Sequence, residues 1–105
     1  MKPIVVLTTI DSEEDAQRIA TALVERKLAA CVQISRINSV YTWEDEVQSS
    51  PELRLVVKTT DKSYAAVEDA IRELHTYDLP AIIALPVEHA YEPFAEWIAA
   101  NSTGG

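Results

Sequence analysis

The amino-acid sequence predicts an α+β fold in which two helices cover one face of an antiparallel β-sheet. Three observations lead to this prediction. Apolar residues twice follow strand-like, then helix-like, then strand-like spacing along the chain. A long hairpin pattern joins the two halves, and a short helical pattern follows the last strand. The length of 105 residues fits a single domain over 1–105.

The first half begins with a strand and a helix. Pro3 to Ile10 contains the continuous apolar run IVVL, which is typical of a buried strand. Asp11 and Ser12 then offer helix N-caps, and Ser12 with Asp15 three residues later approximates a capping box. The helix is expected to end near Lys27, and its apolar stripe comprises Ala16, Ile19, Ala20, Leu23 and Val24.

The hairpin between the halves carries two large aromatic residues. The stretch LAACVQI, residues 28–34, predicts the second strand, and a bend is predicted over 35–39. Beyond this bend the alternation of Tyr41 and Trp43 places both rings on one face of the strand. A two-residue turn is predicted at 44–45, after which the return strand begins.

The second half repeats the order strand, helix, strand. A helix is expected after Asp61, with His75 at its C-terminal end. The stretch LPAIIALPV, residues 79–87, predicts the fourth strand. The tail over 102–105 is expected to be disordered. The repeat is the split β-α-β, or ferredoxin-like, pattern, completed by a last helix that is predicted to face inward through Phe94, Trp97 and Ile98.

Composition and charge narrow the range of partners. The chain carries 17 acidic and 9 basic residues, a net charge of −8, which argues against nucleic-acid binding and against docking on anionic membranes. The single cysteine, Cys31, excludes an internal disulfide and fits a reducing compartment. Because the N-terminal stretch lacks the features of a signal peptide, a cytoplasmic location is expected.

The long hairpin predicts self-association. A hairpin that reaches beyond its sheet exposes unpaired strand edges and, in this chain, the aromatic side chains of Tyr41 and Trp43. Pairing of strand edges around a closed ring of subunits would cover both features.

Five stretches in series resemble the CutA family of proteins linked to divalent-cation tolerance. They are LAACVQI, SVYTWEDEV, ELRLVVKTT, HTYDLPAIIALPV and the last helix containing Trp97. The resemblance covers nearly the whole chain. It implies a ferredoxin-like fold similar to that of the nitrogen-regulatory PII proteins, a homotrimer, and a hairpin that reaches across to a neighbouring subunit. The residues that it places at an intersubunit cleft or interface are Cys31, Tyr41, Trp43, Lys58, Tyr77 and Trp97.

The resemblance also points to His75-Thr76-Tyr77 as the best candidate site, at the junction of a helix and a strand. The family counterpart reads His-Pro-Tyr-x-x-Pro-Glu, so Thr76 replaces its proline and Ala81 replaces its glutamate. His75 is otherwise expected to cap its helix. Cys31 lies in an apolar strand, where an inert thiol is expected rather than a reactive or metal-binding one.

Metal binding is a second implication of the resemblance. The copper-binding members place a cysteine late in the first strand and paired histidines ahead of the tyrosine. Thr8 and Leu74 stand at two of these positions, which leaves His75 as the candidate ligand for a divalent cation such as Cu(II). Glu44 and Glu46 at the hairpin tip form either a loose site for hard cations or a solvated acidic turn.

The sequence contains no nucleophile elbow, phosphate-binding glycine loop or metalloprotease helix, so no enzymatic activity and no required cofactor are expected. The main hypothesis is a trimeric protein of divalent metal tolerance, with weak copper binding. The alternative is a PII-like sensor that binds a small molecule in intersubunit clefts. A third hypothesis is an enzyme that uses His75 and Tyr77 at such a cleft.

Overall fold

A computed structural model describes residues 1–104 and confirms the predicted fold class. Four strands form one antiparallel sheet in the order β2-β3-β1-β4. A 3-10 turn over Asp61–Ser63 precedes the second helix. The elements are β1 (Pro3–Ile10), α1 (Glu13–Glu25), β2 (Cys31–Trp43), β3 (Glu46–Thr60), α2 (Tyr64–Leu74), β4 (Ile83–Pro86) and α3 (Glu92–Ala100).

The hydrophobic core lies between the sheet and helices α1 and α2. Alternate residues of β1 and β3 point towards the helices. The helices present apolar residues to the sheet at 3.6-residue spacing. Each fully buried aliphatic side chain contributes about 1.5–3 kcal/mol relative to an exposed one. The core includes Ile4, Val6 and Ile10 of β1, Leu53, Leu55 and Val57 of β3, Ile19 and Leu23 of α1, and Val67 and Ile71 of α2.

Helix α1 begins and ends as its sequence predicts. The Ser12 hydroxyl accepts a hydrogen bond from the Asp15 N–H at 3.3 Å, which satisfies one of the free donors of the first turn. At the other end Lys27 adopts a φ of 59°, and the Leu28 N–H returns to the Leu23 carbonyl at 2.9 Å. This left-handed residue stops the helix without a glycine.

The end of the chain packs against this helix terminus, where a disordered tail was expected. The Gly104 N–H donates to the Lys27 carbonyl at 2.7 Å. Ser102 is buried, and its carbonyl accepts a hydrogen bond from the Ser63 hydroxyl at 2.8 Å. Ser102 and Gly104 therefore have defined contacts, and Gly105 lies outside the described residues.

Strands β2 and β3 form a continuous hairpin, so the predicted bend over 35–39 is wrong. Every residue of β2 has a partner on β3 in an unbroken register, because no residue is inserted into either strand. The two-residue turn is confirmed, with positive φ angles at Glu44 and Asp45 as a type I′ turn requires. Pro51 lies beyond Leu53, the last β3 residue that pairs with β1, so its missing N–H falls on a sheet edge.

The hairpin extends well past the rest of the sheet. Its outer part, residues 37–52, pairs only within itself and is called the arm here. The arm gives the molecule a longest dimension of 44 Å, against 25 and 21 Å in the other directions.

Two predictions in the C-terminal third are wrong. Strand β4 spans only Ile83–Pro86, because Leu79 and its neighbours form no pairs with β1. In α3 only Ile98 is buried, while Phe94 and Trp97 remain exposed on one side of the helix and stack at 5.5 Å between ring centroids. Among the described residues no helix is both long and apolar enough to cross a bilayer.

Candidate functional site

The sheet face opposite α1 and α2 carries apolar side chains that remain accessible. Strand pairing places Leu7 opposite Ile83 and Val5 opposite both Leu85 and Lys58 on this face. Ile83 and Leu85 are 57% and 50% exposed. This face, called the open face here, carries Val5, Leu7, Val56, Ile83 and Leu85. A contiguous exposed apolar surface of this kind is typical of an interaction site.

Cys31 and Lys58 lie side by side on the open face. They are directly paired across β2 and β3, and both are partly buried. The Lys58 ammonium lies 5.5 Å from the centroid of the Phe94 ring, which in turn stacks on Trp97. Three of the residues predicted at a subunit contact, Cys31, Lys58 and Trp97, therefore belong to one neighbourhood.

The open face continues along the arm through Tyr41 and Trp43. Both rings lie on one face of β2, as predicted, and their parity with Cys31 places them on the open-face side. They are 42% and 45% exposed. The Tyr41 hydroxyl lies 3.2 Å from the Ser50 hydroxyl across the hairpin, which orients the Tyr41 ring along the arm.

His75 follows α2 and is held by both ring nitrogens. Its Nδ1 accepts a hydrogen bond from the Tyr77 N–H at 3.1 Å, which fixes the proton on Nε2. Nε2 then donates to the Thr9 carbonyl at 2.7 Å. The side chain thus ties the loop after α2 to the end of β1, instead of capping the carbonyls of its own helix.

Tyr77 bridges the same loop to the base of the arm. Its hydroxyl donates to the Glu52 Oε2 at 2.6 Å, and its ring meets that of His75 edge-on at 4.6 Å between centroids. Burial and the Glu52 carboxylate raise the pKa of the Tyr77 hydroxyl. A phenol held protonated in this way serves as a hydrogen-bond donor and not as a base.

A pocket of about 740 Å³ lies between the arm and the loop after α2. It opens to solvent on its outer side. Tyr41 and Trp43 of the arm and Tyr77 of the loop meet in it, so the fold brings together three of the predicted site residues. Its walls include Tyr41, Trp43, Glu52, Tyr77, Asp78 and Leu79.

The predicted metal ligand, His75, belongs to no metal-binding cluster in the part of the chain that the structure describes. Within residues 1–104 there is no group of three or more His, Cys, Asp or Glu side chains arranged to hold a metal ion. Thr8 is buried on the helix side of β1, with no partner for its hydroxyl. To bind a metal, His75 would have to release either the Tyr77 N–H or the Thr9 carbonyl.

Sequence reasoning missed Glu52, whose carboxylate accepts a hydrogen bond from the Tyr77 hydroxyl. It also missed Thr9, whose carbonyl accepts a hydrogen bond from His75. Glu52 lies 25 residues before Tyr77 and Thr9 lies 66 residues before His75, so no local spacing relates either pair. The only available signal is the antiparallel register, which places Leu53 opposite Ile10, and hence the start of the arm beside the end of β1.

Comparison with known proteins agrees with this architecture. The family model described as CutA1 divalent ion tolerance protein matches residues 4–101. The "Divalent-cation tolerance protein CutA" of Archaeoglobus fulgidus is 41% identical over 90 residues, covering 86% of this chain and 88% of the relative. The protein of the same name from Thermus thermophilus is 42% identical over 99 residues, covering 93% and 96%.

Solved structures of relatives share the whole fold. The structure described as the periplasmic divalent cation tolerance protein CutA of Archaeoglobus fulgidus superposes with a TM-score of 0.93 at 37% identity, covering 95% of this chain and 98% of the other. The Thermus thermophilus Cut A1 structure gives a TM-score of 0.92 at 42% identity, covering 95% and 98%. The family model, the sequence relatives and these structures agree over almost every described element. The chain belongs to the CutA1 divalent ion tolerance protein family.

Proposed function

We propose that this protein acts in divalent-cation tolerance as a homotrimer, without catalytic activity of its own and without a required cofactor. The observation that carries the proposal is the family match over residues 4–101, together with relatives about 40% identical that are named for divalent-cation tolerance.

The exposed surfaces support the trimer. An isolated chain leaves the open face, the arm edge and the Phe94–Trp97 stack in water, and such surfaces favour association. In the proposed trimer each arm lies against a neighbouring subunit, and Tyr41 and Trp43 lie where the two meet. Cys31, Lys58 and Trp97 then line the contacts around the open face, and Tyr77 lies at the edge of an intersubunit cleft.

Direct binding of Cu(II) is the narrower part of the proposal. His75 can offer a lone pair only after one of its two hydrogen bonds breaks, which disfavours tight binding by a single chain. A copper site therefore needs ligands from more than one subunit, and the affinity is expected to be weak.

Complementation tests the proposed function. A bacterial strain that lacks its own family member should regain growth on elevated Cu(II) when it expresses this chain. Native mass spectrometry of the purified protein should show three chains. A trimer that restores no growth on Cu(II) or other divalent cations would contradict the tolerance role, and a single-chain mass would contradict the assembly.

The pocket beside the arm favours a second candidate function, a sensor that binds a small molecule. Its volume of about 740 Å³ falls within the range of small-molecule sites. Ligand binding between the arm and the Tyr77 loop would change how the arm is presented to a protein partner. A thermal-shift screen with metabolites tests this function, and a screen without a single stabilising compound would count against it.

The proposed location is the cytoplasm. One cysteine in the whole chain and a net charge of −8 fit a reducing compartment and a role without nucleic-acid or membrane binding. The archaeal relative is described as periplasmic. Fractionation of cells that express the protein from its own gene distinguishes the two compartments.

A further inference from the structure

The pocket between the arm and the Tyr77 loop has aromatic walls on two sides. Tyr41 and Trp43 line it from the arm, and Tyr77 lines it from the loop after α2. The faces of such rings carry partial negative charge and attract cations, indole most strongly. Aromatic rings converging from different elements are the usual means by which proteins recognise quaternary ammonium groups.

The charged residues that line the pocket are acidic. Glu52 and Asp78 line it, and none of the described residues that line it is Lys, Arg or His. Glu52 uses Oε2 for the Tyr77 hydroxyl, which holds the carboxylate against the wall and leaves its other oxygen to accept a further bond. The negative charge of Asp11 adds to the rise of the Tyr77 pKa, after burial and the Glu52 carboxylate.

The nearest basic side chain on the same strand is Arg54, two residues beyond Glu52 and on the same face of β3. It lies outside the pocket wall, opposite Thr9. A net charge of −8 adds a general attraction for cations and a repulsion for anions. Size, aromatic walls and charge therefore favour the same class of ligand.

We infer that this pocket binds a small organic cation, with an alkylammonium group between the Trp43 and Tyr77 rings and the Glu52 carboxylate as counter-charge. The inference names the ligand class of the sensor function proposed above and rests on that function. In the proposed trimer a neighbouring subunit lies across the outer side of the pocket and shields the cation from water, which strengthens its attraction to the rings.

Choline and its neutral isostere 3,3-dimethylbutan-1-ol test the charge requirement. Both have the same shape, but only choline carries a positive charge. Isothermal titration of the full-length protein should show saturable choline binding and at least about tenfold weaker binding of the isostere. Equal affinities, or no binding of choline at millimolar concentration, would overturn the inference.

Variants locate the site. Glu52→Gln should weaken choline binding about tenfold, whereas Glu25→Gln, which makes the same charge change on the exposed surface of α1, should leave it unchanged. Trp43→Leu should remove a comparable share of the affinity, because it deletes one of the aromatic walls. Equal effects of the two glutamate variants would assign choline binding to the overall charge and overturn the pocket site.

The same titrations separate this inference from the sensor function itself. A neutral or anionic metabolite that binds while choline does not would overturn the cation assignment and leave the sensor function standing. A trimer in which no compound of any charge binds would contradict both.

Discussion

The two faces of the sheet differ in how much of their apolar surface a single chain buries. On the helix side β1 and residues 53–60 of β3 bury every second residue against α1 and α2, and Val6, Leu55 and Val57 are inaccessible to water. On the open face the intervening residues of the same strands are only partly covered, and Ile83 and Leu85 of β4 are half-exposed. The helix side therefore supplies the stability of the single chain. The open face is the surface through which we propose that the chain meets other subunits.

The largest expected effect comes from opening the helix-side core. Leu23→Ala removes a fully buried side chain and should lower the free energy of unfolding by about 2–5 kcal/mol, the transfer loss plus a cavity. Val24→Ala, one residue along α1 and 40% exposed, is the matched control and should cost less than about 1 kcal/mol. Chemical denaturation measures both values. Similar costs would show that α1 does not distinguish the two faces as described.

The next effect tests the open face as a subunit contact. Leu85→Glu puts a charge on that face and should dissociate the proposed trimer to single chains in native mass spectrometry, because burying an unpaired carboxylate is unfavourable. Val24→Glu makes the same type of change on α1 and should leave the mass at three chains. If Leu85→Glu remains trimeric with unchanged stability, the subunits meet elsewhere.

A smaller effect separates the two roles of His75. His75→Ala should lower the free energy of unfolding by roughly 1–3 kcal/mol, because the Thr9 carbonyl and the Tyr77 N–H lose their partner. The proposed copper role of His75 predicts that the variant also loses Cu(II) affinity, measured by titration of wild type and variant. Unchanged stability would contradict the two hydrogen bonds, and unchanged Cu(II) affinity would exclude His75 as a ligand.

The smallest effect is a pH dependence at the base of the arm. Burial and the Glu52 carboxylate raise the pKa of Tyr77 above its ordinary value of about 10. Since the folded-state pKa is the raised one, the contribution of this group to stability is complete below about pH 10 and is lost as the pH rises through the folded value. The difference between wild-type and Tyr77→Phe absorbance titrations should show one phenol that ionises at a higher pH than an ordinary tyrosine. A difference curve centred near the ordinary value would contradict the hydrogen bond.

Much of the fold was predictable because its signals are local. Ser12 marks the start of α1, the IVVL run marks β1, and the 44–45 turn follows from the hairpin pattern. The bend over 35–39 was predicted wrongly because five mainly polar residues resemble a loop, whereas on the exposed arm a strand needs no apolar face.

The errors near the C-terminus have another cause. Spacing shows that residues are apolar but not what covers them, so Phe94 and Trp97 were assigned to the core although they lie on a surface. The predicted site residues Tyr41, Trp43 and Tyr77 do share a pocket. The bond from Tyr77 to Glu52 needed the structure, because it joins residues from different parts of the chain.

Three residues with left-handed backbone, Lys27, Glu44 and Asp45, are not glycine, and the two glycines of the chain stand only at its end. The left-handed conformation costs a non-glycine residue about 1–2 kcal/mol. Glycine avoids this cost, but part of the gain is offset because glycine loses more conformational entropy on folding. Thermostability engineering should therefore begin at these positions. Lys27→Gly is expected to raise the free energy of unfolding by up to about 1 kcal/mol, and so to raise the melting temperature modestly. A margin of added stability is therefore available at Lys27, away from the surfaces proposed for the function of the protein, whereas Glu44 and Asp45 directly follow Trp43 at the tip of the arm.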